Sequence, residues 1–166
     1  MKKLLLISAC LVLVFSACKK DSTKTTTSNS ITATVGSSNF NFSTAATAQV
    51  ISGSGIYSIQ ILGSTGAGSS AQGVSIAIES DKPIVKGTYS VTDTSSFTDI
   101  TYVENPSVST PVSFSSQVTG TVNITSISST NVQGTFSGIL VSNQDNTTTQ
   151  TLSNGKFNVS VIGTKQ

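Results

Sequence analysis

The feature that most restricts this chain is a strict alternation of apolar and polar residues, clearest in its last third. Val118, Gly120, Val122 and Ile124 face one way, and Thr119, Thr121, Asn123 and Thr125 the other. Successive side chains of an extended strand point to opposite faces, so the pattern predicts strands buried on one side only. It recurs in Ile31, Ala33 and Val35, in Phe40 and Phe42, in Tyr57, Ile59 and Ile61, in Val74, Ile76 and Ile78, and in Ile100 and Tyr102. Ala48 to Ser52 is a weaker example. Val132, Phe136 and Leu140 share a face with Gly134 and Gly138, and Phe157, Val159 and Val161 form the last run, after an Asn154-Gly155 turn signal.

The connections between these runs are short and rich in Gly, Ser, Asn and Asp. Parallel neighbours need long crossovers, so short links favour antiparallel pairing. The expected fold is all-β, a single antiparallel β-sandwich over residues 31–166, with a closed lipocalin-like β-barrel as the alternative. Gly87-Thr88-Tyr89, Gly120-Thr121-Val122 and Gly134-Thr135-Phe136 repeat a pattern at unequal spacings. They are read as strand starts or close backbone approaches and not as a repeat array.

The N-terminal stretch has a different logic. Lys2 and Lys3 precede an apolar run from Leu4 to Phe15, and Ser16-Ala17 places small residues before Cys18. That is the layout of a secretory leader, and its apolar run is shorter than the roughly 20 residues that a membrane-spanning helix needs. Phe15-Ser16-Ala17-Cys18 resembles a bacterial lipobox, which implies cleavage after residue 17 and lipidation of Cys18. Residues 18–30 carry no apolar periodicity beyond the cysteine and are expected to be a flexible tether. On this reading Cys10 leaves with the leader and Cys18 carries lipid, so the folded part keeps no thiol.

Further residues add a family resemblance. Gly120-Thr121-Val122-Asn123-Ile124, Val132-Gln133-Gly134-Thr135-Phe136-Ser137-Gly138 and Ser153-Asn154-Gly155-Lys156-Phe157-Asn158-Val159 look like segments of small lipoproteins of the Bacteroidota. Such proteins pair a leader ending in Ser-Cys or Ala-Cys with one β-rich domain of unknown function. Phe40-Asn41-Phe42 stands where many relatives carry a Trp. The resemblance implies an outer-membrane lipoprotein, on its periplasmic or cell-surface face, and implies no activity.

Composition narrows the chemistry. The chain has nine lysines, seven acids and no Arg, His or Trp. Removal of residues 1–17 takes Lys2 and Lys3, leaving seven lysines against seven acids. A neutral body carries no electrostatic footprint for nucleic acid. Without His there is no Ser-His-Asp triad, and without His or a free Cys a zinc site is not expected. Neither cofactor nor metal is expected.

Carboxylates remain. Glu79 and Asp81 stand two apart at a strand end, and Asp99 and Glu104 flank another strand. A carboxylate pair at a suitable separation hydrolyses glycosidic bonds. Asn143-Gln144-Asp145-Asn146 offers oxygen ligands of the kind calcium takes, on what reads as a polar hairpin tip. The expectation is a non-enzymatic, lipid-anchored envelope protein with a glycan or protein partner, and with Glu79, Asp81 and Asp145 as candidate binding residues. The alternatives are a carboxylate glycosidase and a carrier of a small apolar ligand.

Overall fold

The computed structural model describes residues 29–68, 70–105 and 109–165. The leader, Cys18 and the tether up to residue 28 lie outside the described residues, as does Pro106. Among the described residues the chain forms ten strands and no helix. In chain order they are β1 (Ser30–Val35), β2 (Ser38–Asn41), β3 (Thr44–Gly53), β4 (Ile56–Ser64), β5 (Gln72–Ser80), β6 (Gly87–Ser90), β7 (Ser96–Glu104), β8 (Val112–Ile127), β9 (Asn131–Ser142) and β10 (Thr149–Lys165). Val, Ile, Thr and aromatic residues fill them, and these side chains suit a pleated, half-buried surface.

The strands form one sheet in the order β2-β1-β10-β3-β4-β5-β7-β8-β6, with β9 between β10 and β8. The first hairpin is as expected: β1 and β2 pair antiparallel around Gly36, whose φ of 59° favours glycine. Every ladder is antiparallel except that between β10 and β3, where Ala48 sits opposite Val161. A parallel ladder was not foreseen, because its two strands are far apart in sequence and no short connection announces it. The ladders from β3 through β4, β5, β7, β8 and β9 lead back to β10, so hydrogen bonding continues around the core. A register shift in β8 between Ser115 and Thr119 stands where that strand passes from β7 to β6, and one in β10 between Val161 and Thr164 lies within its ladder with β3. Strands that change partner at bulges make the corners of folded-over sheets.

The interior is packed with side chains. Phe42, Tyr102, Ile31, Ile59, Ile76 and Ile100 are among those fully buried. The Tyr102 ring lies 6.5 Å from Phe40, 6.3 Å from Phe42 and 6.1 Å from Phe114. Strands β2 and β7 share no ladder, so the Phe40–Tyr102 contact crosses the core between two layers, consistent with the expected β-sandwich. Where the β7–β8 ladder stops at Thr101 and Ser115, the buried Ser116 hydroxyl takes over. It accepts from the Ile100 amide at 2.8 Å and donates to Asp99 at 3.3 Å.

Two sequence expectations are corrected. Val118 does not share the buried face of Val122 and Ile124; it is 66% exposed. Between the pairs Ser115↔Val141 and Thr119↔Ile139, β8 advances four residues while β9 advances two. The two extra residues preserve the alternation on either side and push Val118 out. Asn154-Gly155 is not a hairpin turn either. It is a bulge inside β10, with Asn154 at φ 52° and a register shift against β9 between Leu152 and Gly155. Asn tolerates that conformation, so the dipeptide that marks a turn elsewhere bends a strand here.

The bulge sets up a reciprocal arrangement. Gly155 pairs with Phe136, and Gly134 pairs with Phe157. Each ring lies over the glycine of the facing strand, and the two rings are 6.3 Å apart. A Cβ on Gly134 would run into the Asn123 carbonyl oxygen and the Phe157 ring. Gly134→Ala is therefore expected to destabilise the fold by about 1–3 kcal/mol, the usual cost of overpacking a core. Urea unfolding followed by circular dichroism measures it, and an unchanged midpoint would contradict the packing described.

Candidate functional site

Three neighbouring strand ends meet at one edge of the β4-β5-β7 layer. The turn through Ser54 and Gly55 enters β4, residues 81–83 leave β5, and residues 93–95 lead into β7. Between them lies an open groove of about 430 Å³, lined by Ile56, Glu79, Asp81, Lys82, Ser95 and Phe97 among others. Both β-turn residues have positive φ, 53° at Ser54 and 80° at Gly55, which closes the turn tightly and presents Ile56 at the groove wall. The ladder sets Glu79 directly opposite Phe97, so carboxylate and ring share the outer face.

The groove unites two of the three residues expected from sequence. Glu79 and Asp81 are both exposed and both line it. The residues that sequence reading missed are Ile56 and Phe97, 58% and 60% exposed. Phe97 was legible in principle. It stands two residues before Asp99 and four before Thr101, in phase with the polar side of β7 and out of phase with Ile100 and Tyr102.

The acids divide by what their oxygens accept. Asp93 accepts from the Ser95 amide at 2.9 Å and the Ser95 hydroxyl at 2.8 Å, which lower its carboxyl from the ordinary value and brace the loop before β7. Asp99 accepts from Thr101 at 2.7 Å as well as from Ser116. Glu104 lies by Tyr102, whose phenol is held well above its ordinary range by burial and by that carboxylate. Glu79 and Asp81 accept no hydrogen bond among the described residues, and so remain open to a ligand.

Asp145 lies apart, in the turn between β9 and β10. Its Oδ1 accepts from the amides of Thr147 and Thr148, each at 2.8 Å, and its Oδ2 from the Thr148 hydroxyl at 2.6 Å. Asn143 is engaged too: its Oδ1 accepts from Ser115 at 2.9 Å and its Nδ2 donates to Ser113 at 3.1 Å. The oxygens proposed as cation ligands thus hold the loop itself. Among the described residues no group of three or more His, Cys, Asp or Glu gathers as a metal site does. The tyrosines make no exposed platform: Tyr102 is buried, Tyr57 is half-buried, and the half-buried Tyr89 hydroxyl accepts from the Val85 amide and donates to its carbonyl.

A second groove, about 380 Å³, crosses the outer face of β3, β4, β5 and β7 over Gly63 and Gly73, with Leu62 and Val103 on its walls. It contains no titratable side chain. Comparison with family models, with curated proteins and with solved structures gives no match.

The hydrogen bonds to Asp145, the Thr148 hydroxyl first and the two amides next, hold its carboxyl far below the ordinary carboxylate range. A depressed native pKa adds stability that is present above the unfolded value, about 3.9, and is lost as pH falls through the native one. Asp145→Asn is thus expected to melt below the parent chain at neutral pH, with the gap closing as pH falls below about 4. Thermal melts across pH 2–7 check this; a gap that is constant or widens in acid would contradict it.

Proposed function

We propose that this chain is a lipid-anchored lipoprotein of the outer membrane that works by binding and not by catalysis. The anchor is Cys18, exposed by cleavage after residue 17, and several acyl chains at about 0.8 kcal/mol per buried methylene hold it in the bilayer. The observation that carries the binding reading is the groove at the ends of β4, β5 and β7. It is open, its carboxylates are exposed and unengaged, and an aromatic ring stands at its wall. A general acid in a glycosidase works from a site that raises its pKa, commonly by burial. Glu79 and Asp81 stand in solvent instead, a setting suited to reversible contact with a glycan or a protein surface.

The carrier reading has one observation in its favour, the continuity of ladders around the core, and one against it. The interior volume holds Phe42, Tyr102, Phe114 and Leu140, so an apolar guest would have to displace packed side chains.

Three variants test the proposal. Cys18→Ser is expected to move the chain from the membrane fraction to an unprocessed or soluble form; a membrane-bound, processed Cys18→Ser product would refute the anchor. Glycan hydrolysis by the parent chain that Glu79→Gln or Asp81→Asn abolishes would refute the non-enzymatic reading.

A further inference from the structure

Residues 81–86 carry the chain from β5, which is laddered to β4 and β7, to β6, which is laddered to β8. They belong to no strand. Among the described residues the backbone of 83–86 has one hydrogen-bonding partner, the Tyr89 side chain. Its hydroxyl accepts from the Val85 amide at 2.9 Å and donates to the Val85 carbonyl at 2.8 Å. Nearer β5, the Lys82 amide donates to the Ser80 hydroxyl at 3.1 Å. The segment meets the core through Ile84, which is half-buried against it, whereas Pro83 and Val85 on either side are exposed. A cavity of about 200 Å³ remains there, lined by Val50, Ser52, Tyr57 and Ile59 together with Pro83 and Ile84.

A cover held in this way differs from the strands beside it. Local opening is easiest where buried apolar contacts and backbone hydrogen bonds are few. Closure of this segment rests on one apolar side chain and one phenol. The cavity also removes part of the dispersion contact that Ile84 would make in a filled core. Asp81 and Lys82, its first two residues, line the groove at the ends of β4, β5 and β7. Movement of the segment therefore displaces part of the groove lining.

We infer that residues 81–86 form a strap that opens as a local unit, latched by the Tyr89 hydroxyl, and that the latch sets the position of Asp81 and Lys82 in the groove. The last part rests on the binding reading above and adds its regulation. A ligand that contacts Asp81 in the closed strap favours closure, and by linkage closure favours the ligand equally.

The test is hydrogen exchange followed by NMR on the full chain in mild detergent, with urea kept below the unfolding transition. The Val85 and Lys82 amides are expected to exchange through an opening that hardly responds to urea, because it exposes little surface. The Ile59 and Ile76 amides, inside β4 and β5, are expected to show the steep urea dependence of global unfolding. Tyr89→Phe keeps the ring and removes the hydroxyl. It is expected to speed exchange at Lys82, which does not touch the phenol, about tenfold. It is also expected to hasten tryptic cleavage after Lys86 and to shift the Asp81 and Lys82 amide resonances, while those of residues 143–148 stay in place. Ile84→Ala leaves the phenol intact and is expected to speed exchange at both Val85 and Lys82. It carries the test alone should Tyr89→Phe fail to melt like the parent chain.

Exchange of Val85 with the urea dependence of Ile59 and Ile76 would overturn the inference, since the strap would then open only with the whole domain. Lys82 exchange indifferent to both variants would overturn it as well, as would Asp81 and Lys82 resonances unmoved by Tyr89→Phe. These outcomes are separable from the broader proposal. A chain anchored through Cys18 whose strap never opens alone loses the latch and keeps the binding reading.

Discussion

The fold depends on hydrogen bonding along β10. One edge of this strand pairs with β9 over most of its length, and the other edge serves two partners in succession, β1 and then β3. Backbone amides and carbonyls buried in a sheet must be paired, so an absent β10 would leave β1, β3 and β9 each with an open edge. Among the described residues the β1–β2 hairpin has no other ladder to the rest of the sheet, and just after it comes an isolated bridge from Ser43 to Ser64. The first two strands of the folded part are therefore held by the last, while β3 is shared between β10 and β4. Such pairings are distant in sequence and cost loop-closure entropy before they stabilise anything, so folding of this chain is expected to be slow for its size.

Packing around β10 compensates for a sequence without tryptophan. Two aromatic groups bridge strands. Phe40, Phe42, Tyr102 and Phe114 cross between layers, and Phe136 and Phe157 lie side by side on β9 and β10. The second group needs glycines, because each ring occupies the space that a facing Cβ would take. The Gly-Thr-Phe run at 134–136 thus belongs to packing, and its recurrence at Gly120 reflects the same need for close approach, since an added Cβ there would meet Ser116 and Val91, whereas Gly87 begins β6 with open space around it. Glycine costs strand stability through backbone entropy. Here that cost is offset by burial of two phenyl rings, each worth about 1.5–3 kcal/mol.

Alternation was sufficient to read most strands and their buried faces, because one-sided burial writes a period of two directly into the residues. It failed where the backbone leaves that period. Val118 carries the apolar phase of its strand yet points outward, since two extra residues at 115–119 form the corner. Thr125 is likewise bypassed: a one-residue shift after Ile124 turns Ile127 toward the core. The Asn154-Gly155 bulge and the parallel β3–β10 ladder were beyond local pattern, because both are decided by partners more than a hundred residues away, or by a facing ring. In the candidate site, the carboxylates Glu79 and Asp81 were legible from type and spacing. Phe97 was obscured because an exposed aromatic next to a Ser-rich loop looks, in sequence, like the beginning of a core strand.

Charge is distributed unevenly over the two layers, and the division bears on which surface meets a ligand. The register aligns Thr88, Asn123, Thr135, Lys156, Thr32 and Asn41 in a single exposed row across β6, β8, β9, β10, β1 and β2. That wall carries no acid among these residues, and its hydroxyls and amides are well hydrated without a partner. The acids Glu79, Asp81, Asp93, Asp99 and Glu104 all belong to β5, β7 and the loops around them. Three of these five have protein neighbours that engage or flank their carboxylates, and the two that do not stand at one groove, beside the ring that alternation left outside. A thinly charged domain would tolerate those carboxylates equally well if they were scattered. Their convergence with Phe97 at the meeting of three strand ends is what distinguishes that edge from the rest of the surface, since loop-bearing strand ends on a rigid sheet hold binding groups in place while leaving them accessible.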